Sequence, residues 1–189
     1  MITFIAVCHK ETFDAYQFIS CMMLQKDPNW KCIIYCDGKN EYIENSVSFF
    51  NDERIKYLYC DEPRGSWGTY NRIEALGMVE TDFVVQTSIQ DYYTPNAVLE
   101  LNNTIRERKA DFVYFNSLHN HYDHNILNCA PVKCKIDWGN FVIKTSIAQS
   151  VGIREPDSFT ADGIFVEDCL RENPYIQICK IDKILTVHN

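Results

Sequence analysis

The sequence lacks a glycine-rich turn where nucleotide folds usually need one. After the first apolar run, ITFIAVC at 2–8, the chain continues HKETFDAY with no glycine. A dinucleotide fold requires glycines there so that backbone can approach a pyrophosphate. A P-loop requires GxxxxGK followed by Ser or Thr, and none is present. Long hydrophobic runs are also missing. No apolar stretch reaches the length needed to span a bilayer. The chain does not open on a basic segment followed by a long apolar one. The expectation is a soluble, cytoplasmic protein without stable membrane insertion. Positive charge is in deficit, with 18 Lys and Arg against 26 Asp and Glu, a formal net charge of −8. Binding to a polyanion is therefore disfavoured, and no nucleic-acid partner is expected. A local basic patch can still hold a diphosphate. Finally, the nine cysteines contain no paired CxxC set. Their odd number and irregular spacing read as reduced, largely buried small hydrophobes, not as a zinc site or a disulfide framework.

What is there alternates. ITFIAVC (2–8), KCIIYCD (31–37), IKYLYC (55–60), DFVVQTS (82–88) and ADFVYFNSL (110–118) read as strands. The first two are near-continuous apolar runs, the mark of strands buried on both faces. Helical spacing or helix signals fill the gaps: 12–25, 40–50, 67–78, and a helix from Thr94-Pro95 to about Arg108. A polar His-rich loop follows at 119–128, then a strand candidate at 138–144. A helix from about Gly163 to Glu172 and a final strand, YIQICKIDKILTV, complete the chain. The βαβαβαβαβ order predicts an α/β fold with an open, mostly parallel central sheet and helices on both faces. No linker or repeat divides it, so residues 1–189 are read as one domain.

An open parallel sheet binds its ligand beyond the carboxyl ends of its strands. Those ends here are Cys8-His9-Lys10, Asp37-Gly38, Cys60-Asp61 and Ser88-Ile89-Gln90-Asp91. Topology alone therefore brings Asp37 and Asp91 to one edge.

Sugar-nucleotide pyrophosphorylases also carry a glycine-rich loop after the first strand, which disfavours that class. The surviving class is supported by a series of segments in order: FIAVCHKE, IIYCDGK, WGTYNRIEALGMVETDFVVQTSIQDYYTP, WGNFVIKTSIAQSVG, FVEDCL and KILTVHN. Together they resemble the GT-A type of glycosyltransferase, closest to the inverting enzymes of family 2. The resemblance implies a single GT-A (Rossmann-like) domain, with a nucleotide-sugar-binding half (1–118) and an acceptor-side half (119–189). It implies a hexosyltransferase that uses a nucleotide sugar, UDP-glucose or UDP-galactose, and a hydroxyl acceptor, a glycan or a small molecule. It also implies Mn²⁺ or Mg²⁺ as cofactor. Asp91 and His188 fall where the family holds its metal. Asp168, with Glu167 beside it, falls on the catalytic base. Asp37 falls on the carboxylate that holds the nucleoside. The pattern is broken at Ser88 and Gln90, where the family has acidic residues, and at Asn71-Arg72, a reversed Arg-Asn pair.

Sugar transfer must neutralise a departing diphosphate, deprotonate a hydroxyl, and hold the reactants in line away from water. Lys10, Arg64 and Arg72 are candidates for the phosphates, and Gln90 can hydrogen-bond a ribose or phosphate without adding charge. Trp138 and Trp67 are candidate sugar-stacking faces. Each residue also has a plainer reading: Asp91 as a helix cap, Asp37 as an Asp-Gly turn, the acidic pair as a solvated helix face, His188 as tail. Two other functions stay open. A nucleotide-sugar-binding module without catalysis would explain Ser88 and Gln90. A transition-metal protein would use the loop HNHYDH (119–124).

Overall fold

The computed structural model describes residues 1–8, 14–119 and 126–188. Among the described residues, nine strands form one sheet: β1 (Ile2–Cys8), β2 (Trp30–Cys36), β3 (Ile55–Tyr59), β4 (Phe83–Ser88), β5 (Asp91–Tyr93), β6 (Phe112–His119), β7 (Ile126–Leu127), β8 (Phe141–Lys144) and β9 (Ile178–His188). Their order is β3-β2-β1-β4-β8-β6-β9-β5, with β7 on β6. The first four run parallel, β8 lies antiparallel between β4 and β6, and β9 is parallel to β6. The sheet is thus mostly parallel, and only β5, β7 and β8 oppose the rest. Six α-helices flank it: α1 (Ala15–Met23), α2 (Glu41–Phe50), α3 (Thr69–Gly77), α4 (Ala97–Arg108), α5 (Thr145–Val151) and α6 (Ala161–Glu172).

Strand β1 shows why both faces are covered. Its seven residues are all buried. Ile2, Phe4, Ala6 and Cys8 enter one core with α1 and α4, through Phe18, Ile19 and Leu101. Ile5 and Val7 enter the other core with α3, α5 and α6, through Leu76, Ala148 and Phe165. The period of two sorts one apolar run into two packed layers.

The sheet cannot be flat. Only Ile89 and Gln90 join β4 to β5, yet three strands separate these two in the sheet. Flat pleating would put them about 19 Å apart, at roughly 4.8 Å per strand. Three Cα steps reach at most about 11 Å. The far edge therefore curls back over the carboxyl end of β4 and closes a concave site there. This departs from the sequence expectation, which left residues 89–93 as a turn leading into a helix at Thr94-Pro95. The helix begins at Ala97, not at Thr94-Pro95. The three residues Asp91–Tyr93 instead pair with Thr186–His188. A three-residue strand carries too little alternation to be read. Helix α5 was also unread, and His188 is the last residue of β9, not a loose tail. Among the described residues, no helix is long and apolar enough to cross a membrane.

Candidate active site

The curl encloses a cavity of about 680 Å³. Its floor is the ends of β1 and β4, with Cys8, Ser88 and Gln90. One wall is built by Asp91, His119 and His188 from β5, β6 and β9. Asp137, beside His119, together with Trp138 and residues 158–162 leading into α6, completes the lining.

Asp91 is held hard. Its Oδ2 accepts from the Thr87 hydroxyl (2.6 Å) and the Ser88 N–H (2.8 Å), and its Oδ1 faces His188 Nδ1 at 2.6 Å. The Tyr93 hydroxyl donates in turn to Thr87 Oγ1 at 2.9 Å. Gly139 makes this possible. Its φ is +89°, and a Cβ there would lie 2.8 Å from Asp91 Oδ2. Gly139→Ala is therefore expected to cost about 1–3 kcal/mol, from left-handed strain and displaced Asp91. Urea unfolding measures it; an unchanged midpoint would rule out this close approach.

His188 and His119 stack at 4.4 Å, with ring planes 24° apart. His119 Nε2 lies 3.0 Å from Asp137 Oδ2. Ligand atoms of His119, Asp137 and His188 all fall within 4.8 Å of one another. Two imidazoles and one carboxylate suit a divalent transition ion such as Mn²⁺. Asp91 stands behind His188, oriented as carboxylates commonly are behind a metal-binding histidine. Burial alone would lower the His188 pKa, but the Asp91 hydrogen bond and charge outweigh it and raise it. Asp137 is also buried, and its bond to His119 with the nearby histidine charge keeps its pKa below the ordinary value.

Asp162 behaves in the opposite way. Burial first, then the charge of Asp137, push its carboxyl up to about 7. Its carboxyl also hydrogen-bonds Asp137, and the Gly163 N–H at 2.6 Å opposes the rise. Arg72 lies buried nearby. Its Nη1 donates to the Thr87 carbonyl at 2.5 Å, and its guanidinium sits 5.2 Å from the Trp138 ring centre. Burial lowers its pKa to about 10 against the pull of Asp91, Asp137 and Asp162.

The sequence-predicted residues divide. Asp91, His188, Gln90, Arg72 and Trp138 line this cavity together. Asp37 lies on the same sheet edge, two strands away, in a smaller cleft of about 210 Å³ that shares Cys8 with the large cavity. Hydrogen bonds from the N–H groups of Arg64 and Gly65 hold its carboxyl below the usual range, against the effect of burial. Arg64 turns its side chain to Glu74 at 2.6 Å, away from the cavity. Lys10 lies outside the described residues, as does HNHYDH beyond His119.

The acidic pair on α6 requires correction. Glu167 accepts from the Lys133 N–H at 2.8 Å, and Asp168 pairs with Arg171. Neither lines the cavity. Asp168 is six residues, or about 9 Å of helix rise, beyond Asp162. The carboxylate of α6 that lines the cavity is Asp162, which lies outside the FVEDCL segment that carries the resemblance. Asp137 and His119 were missed as site residues too. His119 was weighed only as part of the polar loop, although it ends a strand whose alternate residues are buried.

The strand order, the curled edge and a concave site at the strand ends define the GT-A glycosyltransferase fold. No protein-family model and no curated protein sequence matches the chain. Solved structures do. The chain is similar to S. aureus TarS (TM-score 0.80, 13% identity, covering 100% of this chain and 36% of that one). It is also similar to residues 1–349 of that protein in complex with UDP (TM-score 0.76, 13% identity, 99% and 60%). A third is the mannosyltransferase PcManGT from Pyrobaculum calidifontis, in complex with GDP-Man and Mn²⁺ (TM-score 0.78, 11% identity, 98% and 56%). The chain thus spans 36–60% of the length of these structures' chains.

Proposed function

We propose that this chain transfers a hexose from a nucleotide sugar, UDP-glucose or UDP-galactose, to a hydroxyl acceptor with inversion. The observation that carries the reading is Asp162, a carboxyl that lines the same cavity as the His119, Asp137 and His188 cluster, hydrogen-bonds Asp137, and is pushed up to about 7 by burial and by that neighbour's charge. A general base works best when its pKa is near the working pH.

In this reading the nucleoside rests in the cleft of Asp37. A carboxylate that accepts two N–H groups still has lone pairs for a ribose hydroxyl. The diphosphate crosses the ends of β1 and β4, where Gln90 can donate to it. His119, Asp137 and His188 would hold a divalent cation, Mn²⁺ or Mg²⁺, and the bound ion would neutralise the departing diphosphate. Asp91 then orients His188. Asp162 takes the proton of the acceptor hydroxyl as its oxygen attacks the anomeric carbon. The bond to the diphosphate breaks on the opposite side, and the configuration inverts. Trp138 and buried Arg72 keep water from that face.

The competing reading is a sugar-nucleotide-binding module without turnover, favoured by Ser88 and Gln90 standing where acidic residues would add charge. UDP release from UDP-glucose and UDP-galactose with Mn²⁺, alongside UDP binding by calorimetry, separates the two. Slow donor hydrolysis, accelerated by an acceptor, is expected. Micromolar UDP binding with no release across donors and acceptors would leave the module.

A further inference from the structure

Four consecutive residues, Gly65 to Gly68, have φ of 71°, 49°, 51° and 74°. Glycine adopts this region freely, and Gly68 needs to, since a Cβ there would approach Val7 to 3.0 Å. Ser66 and Trp67 do not. A bulky side chain in the left-handed region is uncommon, and it persists only where surroundings over-determine it. Here they do. Asp37 takes the N–H groups of Arg64 and Gly65 on one side. On the other, Asp157 accepts from the Ser66 hydroxyl and from the Tyr70 hydroxyl, the latter at 3.0 Å.

The strain does not serve packing. Trp67 belongs to neither core and is 52% exposed. Its ring meets only one other aromatic ring among the described residues, Phe159, edge-on at 5.8 Å. Phe159 is 82% exposed. Both rings line the mouth of the cavity. Exposed large apolar groups at the rim of a cavity point to a ligand with an apolar face. Position says which ligand. Phe159 is three residues from Asp162 in the same lining, whereas neither ring lines the nucleoside cleft of Asp37.

We propose that Trp67 and Phe159 clamp the acceptor, and that the acceptor is a ring compound with an apolar face, a pyranoside or an aryl glycoside, that presents a hydroxyl to Asp162. This rests on the transfer reading above. A pyranose offers a face of C–H groups to an indole, and an acyclic polyol does not.

The test titrates phenyl β-glucopyranoside, and sorbitol for comparison, into the UDP-bound protein. Saturation-transfer NMR and tryptophan fluorescence read the binding. The glucoside should bind through its ring protons, and sorbitol should not. Trp67→Asn and Phe159→Ala should each weaken glucoside binding at least tenfold. Asparagine tolerates the left-handed region, so Trp67→Asn should also raise the melting temperature by about 2–4 °C, a gain of stability with a loss of binding. Glucoside binding that is unchanged in both variants overturns the clamp, as does a fall in melting temperature with binding retained. Loss of UDP affinity in Trp67→Asn with glucoside affinity intact assigns the indole to the donor and also overturns it. Absence of UDP release by the wild type, with glucoside binding still sensitive to both variants, rejects catalysis and leaves the clamp standing.

Discussion

Asp162→Asn should lower sugar transfer by about 10²–10⁴-fold while UDP still binds, because a positioned base contributes that much to a proton transfer. Asparagine keeps the shape and the acceptor oxygen for the Gly163 N–H, so the wall of the cavity stays in place. Only the proton acceptor is lost. The same variant makes a second expectation with a defined sign. Asp162 has a folded pKa of about 7, above its ordinary value of 3.8. Between these values the folded chain holds a proton that the unfolded chain has released. Stability therefore falls as pH rises through that window, in protein freed of metal by a chelator. Asparagine cannot ionise, so the variant should lose this fall and exceed the wild type in urea midpoint near pH 7.5. Equal transfer rates for variant and wild type would remove Asp162 as base. The parallel substitution Asp168→Asn should leave transfer within a fewfold of wild type, since Asp168 faces Arg171 away from the cavity.

The contrast between these carboxylates shows what the sequence reveals and what it hides. Buried parallel strands announce themselves as runs such as ITFIAVC, because every side chain must be apolar when both faces are covered. The strand-end rule then located Asp37 and Asp91 on one sheet edge with no further help. Choosing among acids on α6 was harder. A helix start fixes which residues in the first turn face the cavity, and helix ends read from sequence err by a residue or two. Asp168 was taken from the resemblance of FVEDCL to the family's Glu-Asp motif, and Asp162 lies six residues earlier, in the helix's first turn, outside that motif.

The cluster of His119, Asp137 and His188 was hidden for a different reason. Its members lie on β6, on the loop before β8, and on β9, and only the curl of the sheet gathers them. That curl depends on the pairing of β5 with β9, six hydrophobic or polar residues with no periodic signature. Asp91 was legible as a site residue, expected as a metal ligand. Its position after a buried strand marked it, while its partners Thr87, Ser88 and His188 decide what it does. Gly139 had no sequence signal beyond its identity, since its need for glycine arises from the carboxylate across the fold.

His188→Ala should abolish tight Mn²⁺ binding, and Asp91→Asn should weaken it by about 10–100-fold, the usual cost of removing the partner behind a metal-binding histidine. The two effects differ in kind. His188 supplies a ligand atom, and with Nδ1 turned to Asp91 at 2.6 Å it is Nε2 that remains for the ion. Asp91 supplies orientation and charge. Asparagine at 91 would keep one oxygen for Thr87 and Ser88, but it would set an N–H₂ against His188 or against those two donors. The ring would turn or lose its hold. Competition with protons gives a further check. Asp91 raises the His188 pKa, so at mildly acidic pH the imidazole is protonated and Mn²⁺ binding weakens. As a metal-free contribution to stability, the protonated pair is fully present below the ordinary histidine pKa and is lost as pH rises through the raised one. Asp91→Asn removes that contribution, so its destabilisation should be larger at pH 6 than at pH 8.5. Mn²⁺ titration followed by electron paramagnetic resonance measures the affinities without reference to turnover. Mn²⁺ affinity retained in His188→Ala but lost in Asp91→Asn would reverse the assignment and make Asp91 the ligand.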